Sequence, residues 1–297
     1  MFDTAPRLDC AGRILRLDRP RVIGIVNVTP DSFSDGGAHD TVDAAVAHGL
    51  ALAAEGADAL DVGGESTRPG AAEVPLEEEL RRVVPVIERL ARETALPISI
   101  DTSKPEVMRA AVEAGAGMIN DVYALRREGA LDAAAALGVP VVLMHMQGEP
   151  RSMQAAPQYD DVVGDVHRFL AERIFACEMA GIDRKRIVVD PGFGFGKTRE
   201  HNLALLAQLQ RFTELGVPVL AGLSRKKTIG ELTGREAPRE RVHGSVAAAL
   251  IAAQRGAMLL RVHDVAATVD ALKVWKAVDA VPMPRAVTKP AIAWPDD

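Results

Sequence analysis

The chain has 297 residues, of which 48% are apolar and 26% are charged, a composition typical of a folded globular protein and not of a disordered one. Its 41 acidic and 35 basic side chains give a net charge of −6, which argues against general nucleic-acid binding. The longest unbroken apolar run, residues 246–253, is far shorter than the roughly 18 residues that indicate a membrane span. Nucleic acid and membranes are therefore poor candidates for its partners.

Cysteine content and the start of the chain predict a cytoplasmic location. The two cysteines, Cys10 and Cys177, form no CxxC pair, which disfavours both a disulfide framework and a cysteine-built zinc site. Residues 1–8 contain no apolar core of the kind that signal peptides have. We therefore expect a reduced, cytoplasmic protein.

Short β-branched runs alternate with amphipathic, alanine-rich stretches along most of the chain. Several of the runs are apolar throughout, which is typical of parallel strands buried on both faces. The predicted strands are residues 22–26, 59–62, 98–100, 118–119, 139–144, 187–189, 217–220 and 258–262. The clearest predicted helices are residues 43–55, 76–93, 105–114 and 161–180. Glycines at which we expect helices to end are Gly56, Gly115, Gly138, Gly181, Gly216 and Gly256.

Eight strand-and-helix repeats predict a (β/α)8 TIM barrel of the α/β class. A doubly wound open sheet is the alternative, because periodicity does not say whether the first and last strands meet. No break in composition marks a second domain. We expect residues 1–20 to form an N-terminal segment, residues 21–280 the catalytic barrel, and residues 281–297 a proline-rich tail.

Polar residues follow all eight predicted strands, and in a barrel the chemistry gathers at these carboxyl ends. A helix cap would account for one such residue, but eight in the same register indicate a shared site. The residues are Asn27, Asp61, Asp101, Asn120 with Asp121, His145, Asp190, Ser224 with Arg225 and Lys226, and Arg261 with His263.

Three of these residues predict recognition of a heterocycle. Asp101, Asn120 and Asp190 offer acceptor oxygens from separate strands, and such groups pair with the N–H and NH₂ edge of an aminopyrimidinone. Capping of the helix that follows is an alternative role for Asp101 taken alone. As a trio, the residues favour a binding pocket.

A second group predicts anion binding. Arg261 and His263 are two residues apart on one strand, so their side chains project the same way. With the oxygen ligand of Asn27 on the neighbouring first strand, they are suited to a phosphate group and its Mg²⁺ ion. The segment 192–198 resembles a P-loop, but Pro191 stands where that motif needs glycine, so the match fails.

Five motifs together resemble the dihydropteroate synthase family. They are NVTPDSFSDGG at residues 27–37, ESTRPG at 65–70, DPGFGFGK at 190–197, SRK at 224–226 and RVHD at 261–264. The resemblance covers residues 21–280 and has no departure at a motif position. It implies a barrel enzyme of folate biosynthesis, a transferase that condenses 6-hydroxymethyl-7,8-dihydropterin diphosphate with para-aminobenzoate. The products are 7,8-dihydropteroate and diphosphate.

The resemblance also implies roles for individual residues. It places Lys226 on the pterin beside the acceptor trio, and it makes Asn27 a metal ligand next to the diphosphate held by Arg261 and His263. The residues implied near para-aminobenzoate are Thr67, which also neighbours the diphosphate, and Arg68, Phe195 and Ser224. The implied catalytic residues are Asp35, Asp101, Asp190 and Lys226.

In the reaction that the resemblance implies, loss of diphosphate leads and leaves a cation on the dihydropterin. Asp101 and Asp190 would stabilise the cation, and Asp35 on the first loop would close over it. The family is usually homodimeric, so a homodimer is expected.

Two other functions stay open on the sequence. A pterin-dependent methyltransferase would keep the acidic pocket but would not need the Ser66-Thr67-Arg68 loop or Arg261 with His263. A non-catalytic pterin-binding paralogue would be expected to have a damaged loop, whereas both long loops are intact.

Overall fold

A computed structural model describes residues 6–29, 38–66, 72–149, 153 and 157–282, with the backbone alone for residues 38–40. Three candidate site residues, Asp35, Thr67 and Arg68, lie outside the described residues. Residues 283–297 of the expected proline-rich tail also lie outside them.

The described strands are a hairpin pair followed by eight strands of a barrel. They are β1 (Arg7–Cys10), β2 (Arg13–Arg16), β3 (Arg21–Asn27), β4 (Ala59–Gly63), β5 (Ile98–Asp101), β6 (Met118–Asp121), β7 (Val141–Met144), β8 (Ile187–Asp190), β9 (Val219–Ala221) and β10 (Ala257–Val262). All neighbouring barrel strands are parallel, and β10 pairs with β3 to close the sheet. Closure confirms the predicted barrel and excludes the open-sheet alternative.

Helices connect the barrel strands and cover the barrel from outside. They are α1 (Ala38–Ala54), α2 (Leu76–Glu93), α3 (Pro105–Glu113), α4 (Ala130–Leu137), α5 (Val162–Met179), α6 (Arg199–Ala207), α7 (Lys227–Thr233), α8 (Val242–Gln254) and α9 (Val265–Asp279). Short 3₁₀ segments are Arg184–Arg186, Leu209–Leu215 and Pro238–Glu240. All six glycines predicted at helix ends have positive φ, and Gly138 is the C-cap of α4 at φ 70°. None of the described helices is both long and apolar enough to span a bilayer.

Alternation along the strands divides the apolar core into two parts. Side chains that point outward pack under the helices and form the larger cluster, whereas those that point inward fill the amino-terminal end of the barrel. Because side chains of a strand repeat on one face every two residues, the next inward positions lie closer to the carboxyl ends. The inward pairs are Ala59 and Asp61, Ser99 and Asp101, Met118 and Asn120, Val188 and Asp190, and Leu259 and Arg261.

The expected N-terminal segment contains a hairpin that the sequence analysis did not predict. Strands β1 and β2 pair antiparallel, and the turn Ala11-Gly12 has φ of 54° and 86°, as a two-residue type I′ turn requires. Leu8, Cys10 and Leu15 are buried and pack against the inward-pointing apolar side chains of the barrel. The hairpin therefore closes the amino-terminal end of the barrel, opposite the candidate site.

We expect Leu15→Ala to lower the free energy of unfolding by about 2–4 kcal/mol, because Leu15 is 3% exposed and its truncation leaves a cavity. The neighbouring Ile14 is 47% exposed, so Ile14→Ala should change stability by less than about 0.5 kcal/mol. Urea denaturation of both variants measures the difference. Equal stability of the two variants would contradict the packing of the hairpin against the amino-terminal end of the barrel.

Candidate active site

The centre of the site is an arginine that lies between two carboxylates. Arg261 Nε is 2.5 Å from Asp61 Oδ2, and Arg261 Nη2 is 2.7 Å from Asp101 Oδ2. These residues come from β10, β4 and β5, and β3 lies between β10 and β4 in the barrel. The side chain of Asp61 is 2% exposed, while that of Arg261 is 21% exposed, so the arginine covers the lower carboxylate.

Burial and mutual charge shift the ionisation of this group. Burial raises the pKa of Asp101 to about 7, against the lowering effect of the Arg261 charge and with a further raising effect from Asp61. Burial alone would lower the pKa of Arg261, but the charges of Asp61 and Asp101 outweigh it and raise that pKa. The arginine therefore stays charged, whereas Asp101 exchanges its proton near neutral pH.

The remaining acceptors stand around the same interior space. Asn120 donates Nδ2 to Asp61 Oδ2 at 3.1 Å, which leaves its carbonyl oxygen for other donors. Asp190 Oδ1 accepts from the backbone N–H of Gly192 at 2.7 Å. Asp101, Asn120 and Asp190 are all buried at the carboxyl ends of their strands. The structure thus brings the predicted acceptor trio together.

Lys226 adds a positive charge to this pocket. Burial lowers its pKa to about 8, although the neighbouring Asp190 charge opposes the shift. Its Nζ donates to the carbonyl of Phe193 and lies 4.4 Å from the ring centroid of Phe195. Burial raises the pKa of Asp190, and the charge of Lys226 opposes that shift in turn. Lys226 therefore lies between Asp190, a predicted pterin-binding residue, and the ring of Phe195.

The loop after β8 is held by a buried lysine. Lys197 is 3% exposed, and its Nζ donates to the carbonyls of Gly192 and Phe195, both at 2.9 Å, and of His145 at 3.3 Å. It also lies 3.0 Å from His145 Nδ1. Burial lowers the pKa of Lys197 well below its ordinary value. The lysine joins the β8 loop to the β7 loop, a role unrelated to a P-loop.

An ion pair joins the loop after β9 to the end of β10. Arg225 donates Nε and Nη2 to Asp264 at 3.0 and 2.5 Å, and its own φ is 59°, a left-handed conformation that is strained for a residue other than glycine. Next to this pair, Ser224 Oγ lies 3.1 Å from His263 Nδ1 and accepts from the His263 backbone N–H, also at 3.1 Å. Ser224 and His263 are therefore held in contact.

Asn27 ends β3, four residues after the inward-pointing Ile23 and on the same face of the strand. It pairs with Gly63 of β4, while β10 flanks β3 on its other side. Among the residues that the structure describes, no group of three or more His, Cys, Asp or Glu is placed to hold a metal ion. Any Mg²⁺ at Asn27 would therefore take most of its ligands from a phosphate group and water, which is the coordination that Mg²⁺ usually prefers.

For two contributors to the site, the sequence indicates the position but not the role. Asp61 is one of the polar strand ends that indicate a shared site, and its position two residues after Ala59 indicates that it points inward, but the sequence predicts no individual role for it. Lys197 belongs to the failed P-loop match and ends the DPGFGFGK motif, but neither pattern predicts a role for its side chain. Its contacts with carbonyls depend on how two loops meet, and the sequence carries no signal for that.

Comparison with known proteins identifies the class of this site. The family described as "Pterin binding enzyme" matches residues 23–263, which is most of the chain and runs from β3 to the end of β10. The chain is thus a pterin-binding barrel enzyme.

Similar proteins and solved structures agree on the particular family. Dihydropteroate synthase of Escherichia coli strain K12 is 53% identical over 271 residues, covering 91% of this chain and 96% of that enzyme. A structure titled Xanthomonas albilineans dihydropteroate synthase with 4-aminobenzoic acid is 76% identical, with a TM-score of 0.90, and covers 94% of this chain and 100% of its own. The same bacterium's enzyme in complex with 7,8-dihydropteroate is 74% identical, with a TM-score of 0.87, over 93% of this chain and 100% of its own. The chain belongs to the dihydropteroate synthase family, the transferases of folate biosynthesis that condense a dihydropterin diphosphate with para-aminobenzoate.

We expect Gly192→Ala to destabilise the site strongly. A Cβ at Gly192 would lie 1.8 Å from the carbonyl oxygen of His145, and the residue has φ 71°. Gly181 has a similar φ of 88°, but a Cβ there would meet nothing within 4 Å, so Gly181→Ala should lower the free energy of unfolding by only about 1 kcal/mol. Gly192→Ala should lower the unfolding temperature and the rate of dihydropteroate formation more than Gly181→Ala does. Similar losses in the two variants would contradict the close approach of the loops.

Pterin affinity should weaken as the pH falls below about 7, since Asp101 then binds a proton that must leave before it can accept from the pterin. The expected loss is about tenfold for each further pH unit. The charged groups that act on Asp101 include Arg261, Asp61, Asp121, Glu79 and Lys226.

Calorimetric titration with a pterin across this pH range measures the effect, and Asp101→Asn should remove most of the dependence. An affinity that stays constant from about pH 8 to about pH 6 would show that Asp101 does not control binding.

Proposed function

We propose that the interior of the barrel binds the pterin of the substrate through Asp101, Asn120, Asp190 and Lys226. The observation that carries this assignment is the convergence of three buried acceptors, from β5, β6 and β8, beside the Arg261 guanidinium. An aminopyrimidinone presents several N–H donors on one edge, and a pocket of acceptors leaves none of them unpaired. Ligands without those donors would leave buried oxygens unsatisfied and would bind weakly.

The diphosphate is proposed to lie at the mouth of the barrel, against Arg261, His263 and Asn27. Two nitrogen atoms of Arg261 bind carboxylates, while the third, Nη1, donates to none of the described residues and is suited to an anion. Mg²⁺ bound to Asn27 and the diphosphate would supply positive charge for the oxygen that leaves. The acceptor set of Asn27 and the lack of a complete protein ligand set among the described residues fit an ion that arrives with the substrate.

Para-aminobenzoate is proposed to bind beside Phe195 and Ser224. The Phe195 ring stands against Lys226, and Ser224 contacts His263, so both residues adjoin the pterin and diphosphate candidates. The bound 4-aminobenzoic acid named for the X. albilineans enzyme supports a site for this ligand in the family. Thr67 and Arg68 stay predictions for the same site, and so does Asp35 for closure over it, since all three lie outside the described residues.

In the proposed reaction, the bond between the pterin methylene carbon and the diphosphate oxygen breaks before the amine attacks. The charge of Arg261 and contacts from His263 stabilise the departing diphosphate. Asp101 and Asp190 in their ionised forms stabilise the cation left on the dihydropterin. The amine nitrogen then forms the new bond to the methylene carbon and loses a proton, which gives dihydropteroate.

A homodimer is also proposed, with a second copy covering the outer faces of α8 and α9. Helix α8 is apolar around most of its circumference, although such helices are normally buried, and its Ile251 is 37% exposed. On the neighbouring α9, Val274 is 66% and Val278 is 67% exposed. A shared apolar face of this kind supports association of two copies.

A cytoplasmic location is the last proposal that follows from the sequence. It is supported by Cys10 and Cys177, which are both free and buried, as thiols are in proteins of reducing compartments.

Purified chain should form dihydropteroate from dihydropterin diphosphate and para-aminobenzoate with Mg²⁺, and Asp190→Asn should weaken pterin binding by about 1–3 kcal/mol. The amide oxygen of the variant would keep the bond to the Gly192 N–H, so its NH₂ would replace the acceptor that faces the pterin. Product formation and calorimetric binding of a pterin measure the two effects. Asp132→Asn, at an exposed position on α4, is the control; pterin binding by Asp190→Asn that equals the control would refute the pocket assignment.

A further inference from the structure

Asp61 contacts, through one oxygen atom, one residue proposed to bind the pterin and one proposed to bind its diphosphate. Its Oδ2 accepts from Arg261 Nε at 2.5 Å and from Asn120 Nδ2 at 3.1 Å. These partners lie on β10 and β6, two strands away from β4 on either side. Because its side chain is 2% exposed, Asp61 lies beneath the pocket and not on its surface.

The contact with Asn120 decides which end of its amide faces the pocket. An asparagine amide has a donor end and an acceptor end, and the donor end is bound to Asp61. The opposite orientation would place the amide oxygen against the carboxylate oxygen of Asp61, two acceptors without a proton between them. Asp61 therefore makes Asn120 an acceptor toward the pocket, in agreement with Asp101 and Asp190.

The contact with Arg261 divides one positive charge between two carboxylates. Arg261 binds Asp61 through Nε and Asp101 through Nη2, so the two carboxylates share one guanidinium. Without the Asp61 charge, Arg261 would be held by Asp101 alone and would be free to turn about that contact. The ionisation of Asp101 would change as well, since the Asp61 charge helps to raise its pKa.

We propose that Asp61 is a positioning residue of the pterin site, which fixes the amide orientation of Asn120 and the guanidinium of Arg261 without taking part in the chemistry. This role rests on the proposed assignment of those two residues to the pterin and its diphosphate. Asp61 thereby favours ligands that present N–H donors, because it turns the acceptor oxygen of Asn120 toward the pocket.

The test replaces Asp61 by its near-isosteric amide. Asp61→Asn should raise the KM for dihydropterin diphosphate by about ten- to a hundredfold, which is the scale of losing one or two buried charge-assisted hydrogen bonds. The KM for para-aminobenzoate at saturating pterin should change by less than about threefold. The midpoint near pH 7 of pterin binding should move to lower pH, because the Asp61 charge no longer raises the pKa of Asp101.

Ser99 provides the matched control. It pairs in register with Asp61 on the neighbouring strand β5, is 0% exposed, and its Oγ has no hydrogen-bond partner among the described residues. Ser99→Ala also changes a polar group in this layer of the interior, but it should leave both KM values and the pH midpoint unchanged. If Ser99→Ala reproduces the losses of Asp61→Asn, the effect is one of general packing and the positioning role is wrong.

The outcomes also separate this proposal from the proposed function. Wild-type chain that forms no dihydropteroate refutes the function itself. Active wild type together with an Asp61→Asn variant that has unchanged pterin KM and pH midpoint refutes only the role of Asp61. If Asp61→Asn does not fold, Asp61→Ser, which keeps an oxygen acceptor at smaller volume without the charge, is measured in its place and is judged by the same pH midpoint.

Discussion

The buried contact of one guanidinium with two carboxylates is the interaction on which the rest of the site depends. Arg261, Asp61 and Asp101 place three ionisable groups inside a closed barrel, where an uncompensated charge would be strongly unfavourable. Burial raises the pKa of Asp101, and because one positive charge does not balance two negative ones, the charge of Asp61 raises it further. The pocket is therefore ready to accept hydrogen bonds from a donor-rich ligand, which would supply the stabilisation that the carboxylates lack in the free protein.

The two ends of the barrel have different roles: the amino-terminal end is an apolar core that stabilises the fold, and the carboxyl end carries the candidate active site. At the amino-terminal end, the hairpin of β1 and β2 and the inward-pointing apolar side chains form a sealed core. Two residues further along the same strands, the next inward-pointing side chains are polar. They are Asp61, Asn120, Asp190 and Arg261. The polar layer thus rests on a packed apolar layer, and the strands that carry it are fixed by the parallel pairing around the closed sheet.

Most of the fold follows from patterns that the sequence carries locally. The β-branched runs, the glycines at helix ends and the polar strand ends predicted eight strands, helix α2 over Leu76–Glu93 and the acceptor trio. The hairpin was missed because its strands, RLDC and RILR, contain charged residues and lack the apolar runs by which the barrel strands were predicted. The part played by Asp61 was missed for a different reason: its contact with Arg261 joins residues 200 positions apart, and no local pattern records it.

The residues proposed for the two substrates are held in place by different parts of the fold. The proposed pterin residues Asp101, Asn120 and Asp190 lie on barrel strands, whereas the proposed para-aminobenzoate residues Phe195 and Ser224 lie on loops. Loops need other restraints to hold a side chain in place. Lys197 provides one by binding the carbonyls of its own loop and of His145, and the Arg225 pair with Asp264 provides another despite the strained φ of Arg225. Because Ser224 and Lys226 flank Arg225, this restraint connects the proposed sites of both substrates, so a shift of either loop would disturb the pterin and the amine together.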